Sequence, residues 1–303
     1  MNSEKIKIIG KDLSEEEKKS VLKWIKEERV NFEKTIEGEC EKTELETKII
    51  NLVNKYLKQE LADMGLEYQE IKSNQLHILS LESFEKNFPK TRSNAFYHSA
   101  NDQIYIRRGT QANPLEYFKQ ILHESIHLLS FQKFLVDKKS NEVGTYRVGY
   151  TNTDQRRGSD MFRGLNEAVV DRMAMDITFK NNEEILSILD VDKKKQTVTT
   201  WYPRQLEVLD IVLKKIAIIN KEDVAEIWKK FKFGELHGDM MYLRNIEKVL
   251  GRGGLRVIAM VPVGWSLEEI SLTEEIIDYL NTDDKETREK MAQKILDKRS
   301  KKI

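Results

Sequence analysis

Leu122-His123-Glu124-Ser125-Ile126-His127 sets two histidines four residues apart within an apolar stretch. A helix is expected here, and its start is marked. Asn113 is a good N-cap, Pro114 suits the first helical position, and Glu116 completes a capping box. Phe118, Ile121, Leu122, Ile126 and Leu129 supply the buried side. Residues four apart lie on one helical face, so the imidazoles of His123 and His127 can converge on a single cation. Two neutral imidazoles suit zinc and leave it a strong Lewis acid. Glu124 stands beside such a metal, where a carboxylate can take a proton from water and pass it to a leaving amine.

A catalytic site of this kind needs a third protein ligand, with water in the fourth position. A third histidine at short spacing is excluded, because Ser130 and Lys133 hold the positions that would require glycine and histidine. The next candidate is Gly164-Leu165-Asn166-Glu167-Ala168-Val169-Val170-Asp171. It opens a second expected helix, with Val169, Met173 and Ile177 as buried stripe and Glu167 and Asp171 together on another face. One carboxylate then reaches the metal. The other can accept from the far ring nitrogen of a ligating histidine, which fixes its tautomer.

His123-Glu124-x-x-His127 followed by Asn166-Glu167-x-x-x-Asp171 resembles the gluzincin arrangement of thermolysin-like metallopeptidases. The resemblance implies His123, His127 and Glu167 as zinc ligands, Glu124 as general base, and Asp171, with Asn166, as their hydrogen-bonding support. The separation of His127 from Glu167 is longer than in thermolysin. It is nearer that of the anthrax lethal factor-like peptidases, in which Asn-Glu-Ala also occurs at the ligand. Those peptidases carry a tyrosine shortly before the third ligand; here Asp160-Met161-Phe162-Arg163 fills that stretch. The oxyanion donor is therefore sought elsewhere, at Tyr146 or Tyr150, or at Tyr202 or His237 further on. A looser similarity is to the cytosolic, repressor-cleaving ImmA/IrrE group, which implies a regulatory protease acting on one protein partner. The third alternative is a non-catalytic helical binding protein with a vestigial zinc site.

Upstream of the histidine helix, Leu76–Leu79, Ala95–His98 and Gln103–Arg107 read as strands, the last two joined by the turn Ser99-Ala100-Asn101-Asp102. Strands followed by the motif helix resemble the upper half of a zincin, whose edge strand holds an extended peptide. A further hairpin is expected over Thr145–Thr151. The fold class is thus α+β and mostly helical. A zincin-like core (a small mixed sheet, the H-E-x-x-H helix and the third-ligand helix) is expected over residues 67–182. A charged helical region over 1–66, broken at Glu37-Gly38-Glu39, and a helical subdomain over 183–303 flank it. His77 and His98 fall in strands and read as structural. Arg156, Arg157 and Arg163 could bind a substrate carboxylate but read more simply as solvated, like Lys193-Lys194-Lys195. Gly251-Arg252-Gly253-Gly254 reads as a helix end and turn, because no Lys-Ser/Thr follows it.

Composition removes other classes. The 51 basic and 51 acidic side chains balance, so no general attraction to nucleic acid or an anionic membrane is expected. Cys40 is the one cysteine, which excludes a disulfide framework and a cysteine-rich zinc site. The N-terminus lacks the apolar core of a secretory signal, and Val257–Val263 is too short to span a bilayer. The expected location is cytoplasmic, with leaderless export left open, and the expected partner is a peptide or protein substrate.

Overall fold

The computed structural model describes residues 5–31, 36–140, 142–154, 159–192, 194 and 196–300. Arg156, Arg157, Lys193 and Lys195 lie outside them. The chain is α+β, about 59% helical, with two small mixed sheets.

In chain order the elements begin β1 (Ile6–Ile9), α1 (Glu15–Asn31), α2 (Glu44–Asp63), β2 (Leu76–Leu79), α3 (Leu81–Asn87), β3 (Ala95–His98), β4 (Gln103–Arg107) and α4 (Pro114–Leu129). They continue with β5 (Gln132–Asp137), β6 (Glu142–Val148), β7 (Thr151–Asp154), β8 (Ser159–Met161), α5 (Arg163–Lys180) and α6 (Asn182–Leu189). The rest is helical: α7 (Pro203–Asn220), α8 (Val224–His237), α9 (Arg244–Leu250), α10 (Gly254–Ile258), α11 (Leu267–Asn281) and α12 (Lys285–Ser300). No described helix is long and apolar enough to cross a membrane.

By contact the chain gathers into two compact units. The first comprises Met1–Leu129, Lys133–Thr145 and Met173–Thr199; the second comprises Ser130–Gln132, Tyr146–Arg172 and Thr200–Ile303.

The first unit holds the sheet ordered β2-β4-β3. β2 runs parallel to β4, Leu76 facing Ile104, and β3 runs antiparallel to it, Ala95 facing Ile106. Leu76 and Ile78 of β2 and Ile104 and Ile106 of the central β4 are fully buried. α2 starts from a complete capping box between Thr43 and Glu46. Its Ile49, Val53, Leu57 and Leu61 recur at four-residue steps and are all buried, as the periodicity requires. His77 sits buried between Glu39 Oε2 (3.0 Å) and Gln103 Oε1 (2.9 Å), stacked on Tyr105; it is a satisfied core histidine.

In the second unit α7 buries Val208, Leu209, Val212, Leu213 and Ile216, with Leu206 half-buried at the margin. A Ser266–Glu269 capping box opens α11. Gly251 ends α9 with φ 81° and Gly253 precedes α10 with φ 91°, so the glycine run is a helix end and turn. The expected hairpin is β6 paired antiparallel with β7, Val148 facing Thr151.

Candidate metal centre

α4 brings His123 and His127 to one place. Asn113 Oδ1 accepts from Glu116 N at 2.9 Å and starts the helix. From Leu115 to Leu129 every residue is buried, polar ones included. A helix buried on all sides must place its polar side chains against other polar groups. Lys119 donates to Thr199 O, and the Glu116 carboxylate accepts from Thr199 N at 3.2 Å.

The histidine rings lie with centroids 4.9 Å apart at 74°, and their Nε2 atoms are 3.2 Å apart. Four ligands at zinc–nitrogen distances of about 2.0–2.1 Å in a tetrahedron put neighbouring nitrogens about 3.3 Å apart. The two imidazoles therefore already face each other at the separation that zinc ligands require. Glu167 completes the group: one ligand atom each from His123, His127 and Glu167 falls within 4.8 Å of the others. The histidines are buried and Glu167 is half-buried. Two imidazoles and one carboxylate form the donor set of a three-ligand zinc site with a position left for water, so these residues fit the metal. Glu124, the expected base, is buried next to His123 on the same helix.

Asp171, one turn beyond Glu167 on α5, is completely buried. Its Oδ2 accepts from Thr200 Oγ1 at 2.7 Å and from Trp201 N at 3.3 Å. Asn166 Oδ1 accepts from the backbone N–H of Tyr150 at 2.6 Å and of Thr151 at 3.2 Å. That pair of bonds pins the β6–β7 turn to the first turn of α5. Gly164 makes the same end of α5 possible on its other side. Its N–H donates to Val261 O at 3.1 Å, and a methyl group there would collide with that carbonyl.

Tyr150 is fully buried and its hydroxyl donates to Phe231 O at 2.9 Å. Burial, with the Glu235 carboxylate nearby, pushes its pKa well above the ordinary range. The hydroxyl proton of Tyr150 is thus directed to a backbone carbonyl in the core. His237 is the last residue of α8, stacked on Phe233 with centroids 4.5 Å apart, and is not a member of the metal group. Tyr146 is a half-buried residue of β6. Tyr202 precedes α7, its N–H donating to Thr200 Oγ1 at 3.2 Å.

A buried polar cluster escaped the sequence reading. Glu235 of α8 is fully buried and accepts from Ser130 Oγ at 2.6 Å and from Tyr150 N at 3.0 Å. Arg147 donates to Gly149 O and to Gly238 O (2.9 Å) and lies 5.1 Å from the centre of the Phe131 ring. Burial lowers its pKa, and the charge of Glu235 opposes the shift. At Gly149, φ is +52° and a Cβ would strike the Glu235 carboxylate, so only glycine fits. A signal was present. Ile227, Trp228 and Phe231 repeat along the buried stripe of α8, and the same period lands on Gly234 and Glu235. A glutamate on an apolar stripe needs partners, and Ser130 and Tyr150 N–H are those partners.

No family model, curated protein or solved structure matches the chain.

Proposed function

We propose that the chain is a zinc-dependent peptidase with a gluzincin-like centre. The observation that supports this most is the approach of His123, His127 and Glu167 to within 4.8 Å, with the histidine Nε2 atoms 3.2 Å apart. His123, His127 and Glu167 would hold the metal. What zinc supplies when bound is Lewis acidity, which polarises a peptide carbonyl and brings the pKa of water to about 7.

The remaining chemistry belongs to the side chains. The carboxylate of Glu124 takes one proton from the attacking water, whose oxygen bonds to the carbonyl carbon. The carbon–nitrogen bond then breaks, and Glu124 delivers that proton to the departing amine nitrogen, leaving it neutral. The helix that carries Glu124 is buried throughout, which holds its backbone in place while the proton moves. Asp171 and Asn166 serve as support. Asp171 accepts from Thr200 and Trp201, and Asn166, the residue before Glu167, holds the β6–β7 turn through its side-chain oxygen.

Glu124→Gln separates binding from chemistry. The variant is expected to keep its zinc and lose hydrolysis of a fluorogenic peptide library by about 10²–10⁴-fold. Cleavage at the wild-type rate would overturn the role of Glu124. A zinc-loaded wild type that cuts nothing in the library would favour the binding-protein reading.

A further inference from the structure

Glu235 stands on the buried stripe of α8 with Ile227, Trp228 and Phe231. Its two carboxylate oxygens serve different neighbours: Oε1 accepts from Ser130 Oγ at 2.6 Å, and Oε2 accepts from Tyr150 N at 3.0 Å. Its backbone takes a further bond, from Phe131 N to Glu235 O at 3.1 Å. All of these residues, with Asn166 and Glu167, belong to the second unit. Replacing a buried charge by a well-packed apolar side chain is often neutral or stabilising. What the carboxylate adds on an apolar stripe is therefore a fixed arrangement of the groups it bonds.

One of those groups leads to the third ligand. The Tyr150 N–H points both to Glu235 Oε2 and to Asn166 Oδ1, the latter at 2.6 Å, and the Thr151 N–H reaches Asn166 Oδ1 at 3.2 Å. Two acceptors thus hold the β6–β7 turn at one N–H. The fit is close, since a Cβ on Gly149 of the same turn would strike the Glu235 carboxylate. Asn166 in turn lies in the first turn of α5, its own N–H bonded to Phe162 O at 2.9 Å, and Glu167 is the next residue.

We infer that Glu235 is a positioning residue for Glu167. It fixes the turn that Asn166 bonds, and Asn166, joined to Glu167 by a peptide bond within α5, passes that constraint to the ligand. The inference rests on the zinc-site reading above and adds to it a residue outside the ligand group. Outer hydrogen-bond partners of metal ligands alter metal affinity by about 10–100-fold, and the lower figure suits a residue that acts through another.

The test compares Glu235→Met, which fills the space and removes these side-chain bonds, with Glu235→Gln. The glutamine loses the same charge but keeps the bonds: its carbonyl accepts from Tyr150 N, and its amide donates to Ser130 Oγ, a hydroxyl that can also accept. Zinc affinity is read by competition with a chromophoric chelator, and the visible spectrum of the cobalt-substituted protein reports ligand geometry. Urea unfolding of each metal-free protein measures stability separately. Ser130→Ala, which removes the bond to Oε1, replaces the methionine variant if that does not fold, with the same outcomes applied to it. The expected result is zinc binding about 10-fold weaker in Glu235→Met, with an altered cobalt spectrum, and wild-type behaviour in Glu235→Gln. Unchanged zinc affinity and cobalt spectrum in Glu235→Met would overturn the positioning role and leave the zinc site standing. Equal weakening in both variants would also overturn it, since the charge and not the hydrogen bonds would then be responsible. A wild-type chain that takes up no zinc removes the zinc reading and this inference together.

Discussion

Two buried polar groupings, one around Glu46 and one around the histidines of α4, are built on opposite principles. Around Glu46 a carboxylate is surrounded by donors. Arg108 Nε and Nη2 reach it at 2.9 and 2.7 Å, Tyr117 OH donates at 3.0 Å, and Thr43 N donates at 2.7 Å. Around His123 and His127 the ring nitrogens turn toward each other, and Glu167 adds a carboxylate oxygen to them. The first grouping answers charge with charge inside the protein. The second assembles electron-pair donors, the arrangement whose natural counterpart is a cation. Burial of polar atoms therefore does not by itself separate scaffold from site. What separates them is whether the atoms that meet are of opposite or of like character.

Removing Glu46 should break the scaffold and spare the site. Glu46→Ala takes the partner from Arg108, which is about a third exposed, and from the buried Tyr117 hydroxyl. A loss of about 2–4 kcal/mol in unfolding free energy by urea titration is expected, below the full value for a wholly buried pair. Zinc affinity should stay at the wild-type value, and a large fall in it would show that the two groupings are not separate.

Metal removal is the converse experiment. Zinc at 100 times its dissociation constant should stabilise the native state by about 2.7 kcal/mol, and dialysis against a chelator should remove that increment. The same increment is expected in Glu46→Ala. In His127→Ala zinc should add nothing measurable, and an undiminished increment there would place the metal elsewhere.

Acid gives the smallest effect. Burial raises the Glu46 pKa, but the Arg108, Thr43 and Tyr117 hydrogen bonds outweigh it, and the net result lies below the ordinary 4.5. A carboxylate depressed on folding stabilises the native state above its unfolded pKa, and that contribution is lost as pH falls through the folded value. The stability difference between wild type and Glu46→Gln should thus be constant from neutrality down to about pH 4.5 and shrink below it. A difference that widened on acidification would reverse the sign assigned to Glu46.

Legibility in the sequence followed periodicity. β2, β3 and β4 occupy the three runs where alternating apolar residues and a polar turn placed them. α4 begins at its cap, and Val169, Met173 and Ile177 bury the stripe of α5. The pairing of His123 with His127 was legible for the same reason, since a four-residue step is a statement about one helical face. Nothing local distinguishes a tyrosine facing a cleft from one whose hydroxyl, like that of Tyr150, ends on Phe231 O, 81 residues away in sequence. The bond from Thr200 to Asp171 was invisible for a related reason: the two lie 29 residues apart, and a threonine in a Thr-rich connection has no pattern to betray it.

The claim on which the rest depends is that His123, His127 and Glu167 form a zinc site, and metal content tests it most directly. Protein purified without added chelator and dialysed against trace zinc is assayed for metal by mass spectrometry. About one zinc per chain is expected for the wild type, as for three-ligand sites, and close to none for His127→Ala of the same fold content. No zinc in the wild type, or equal zinc in both proteins, would contradict it.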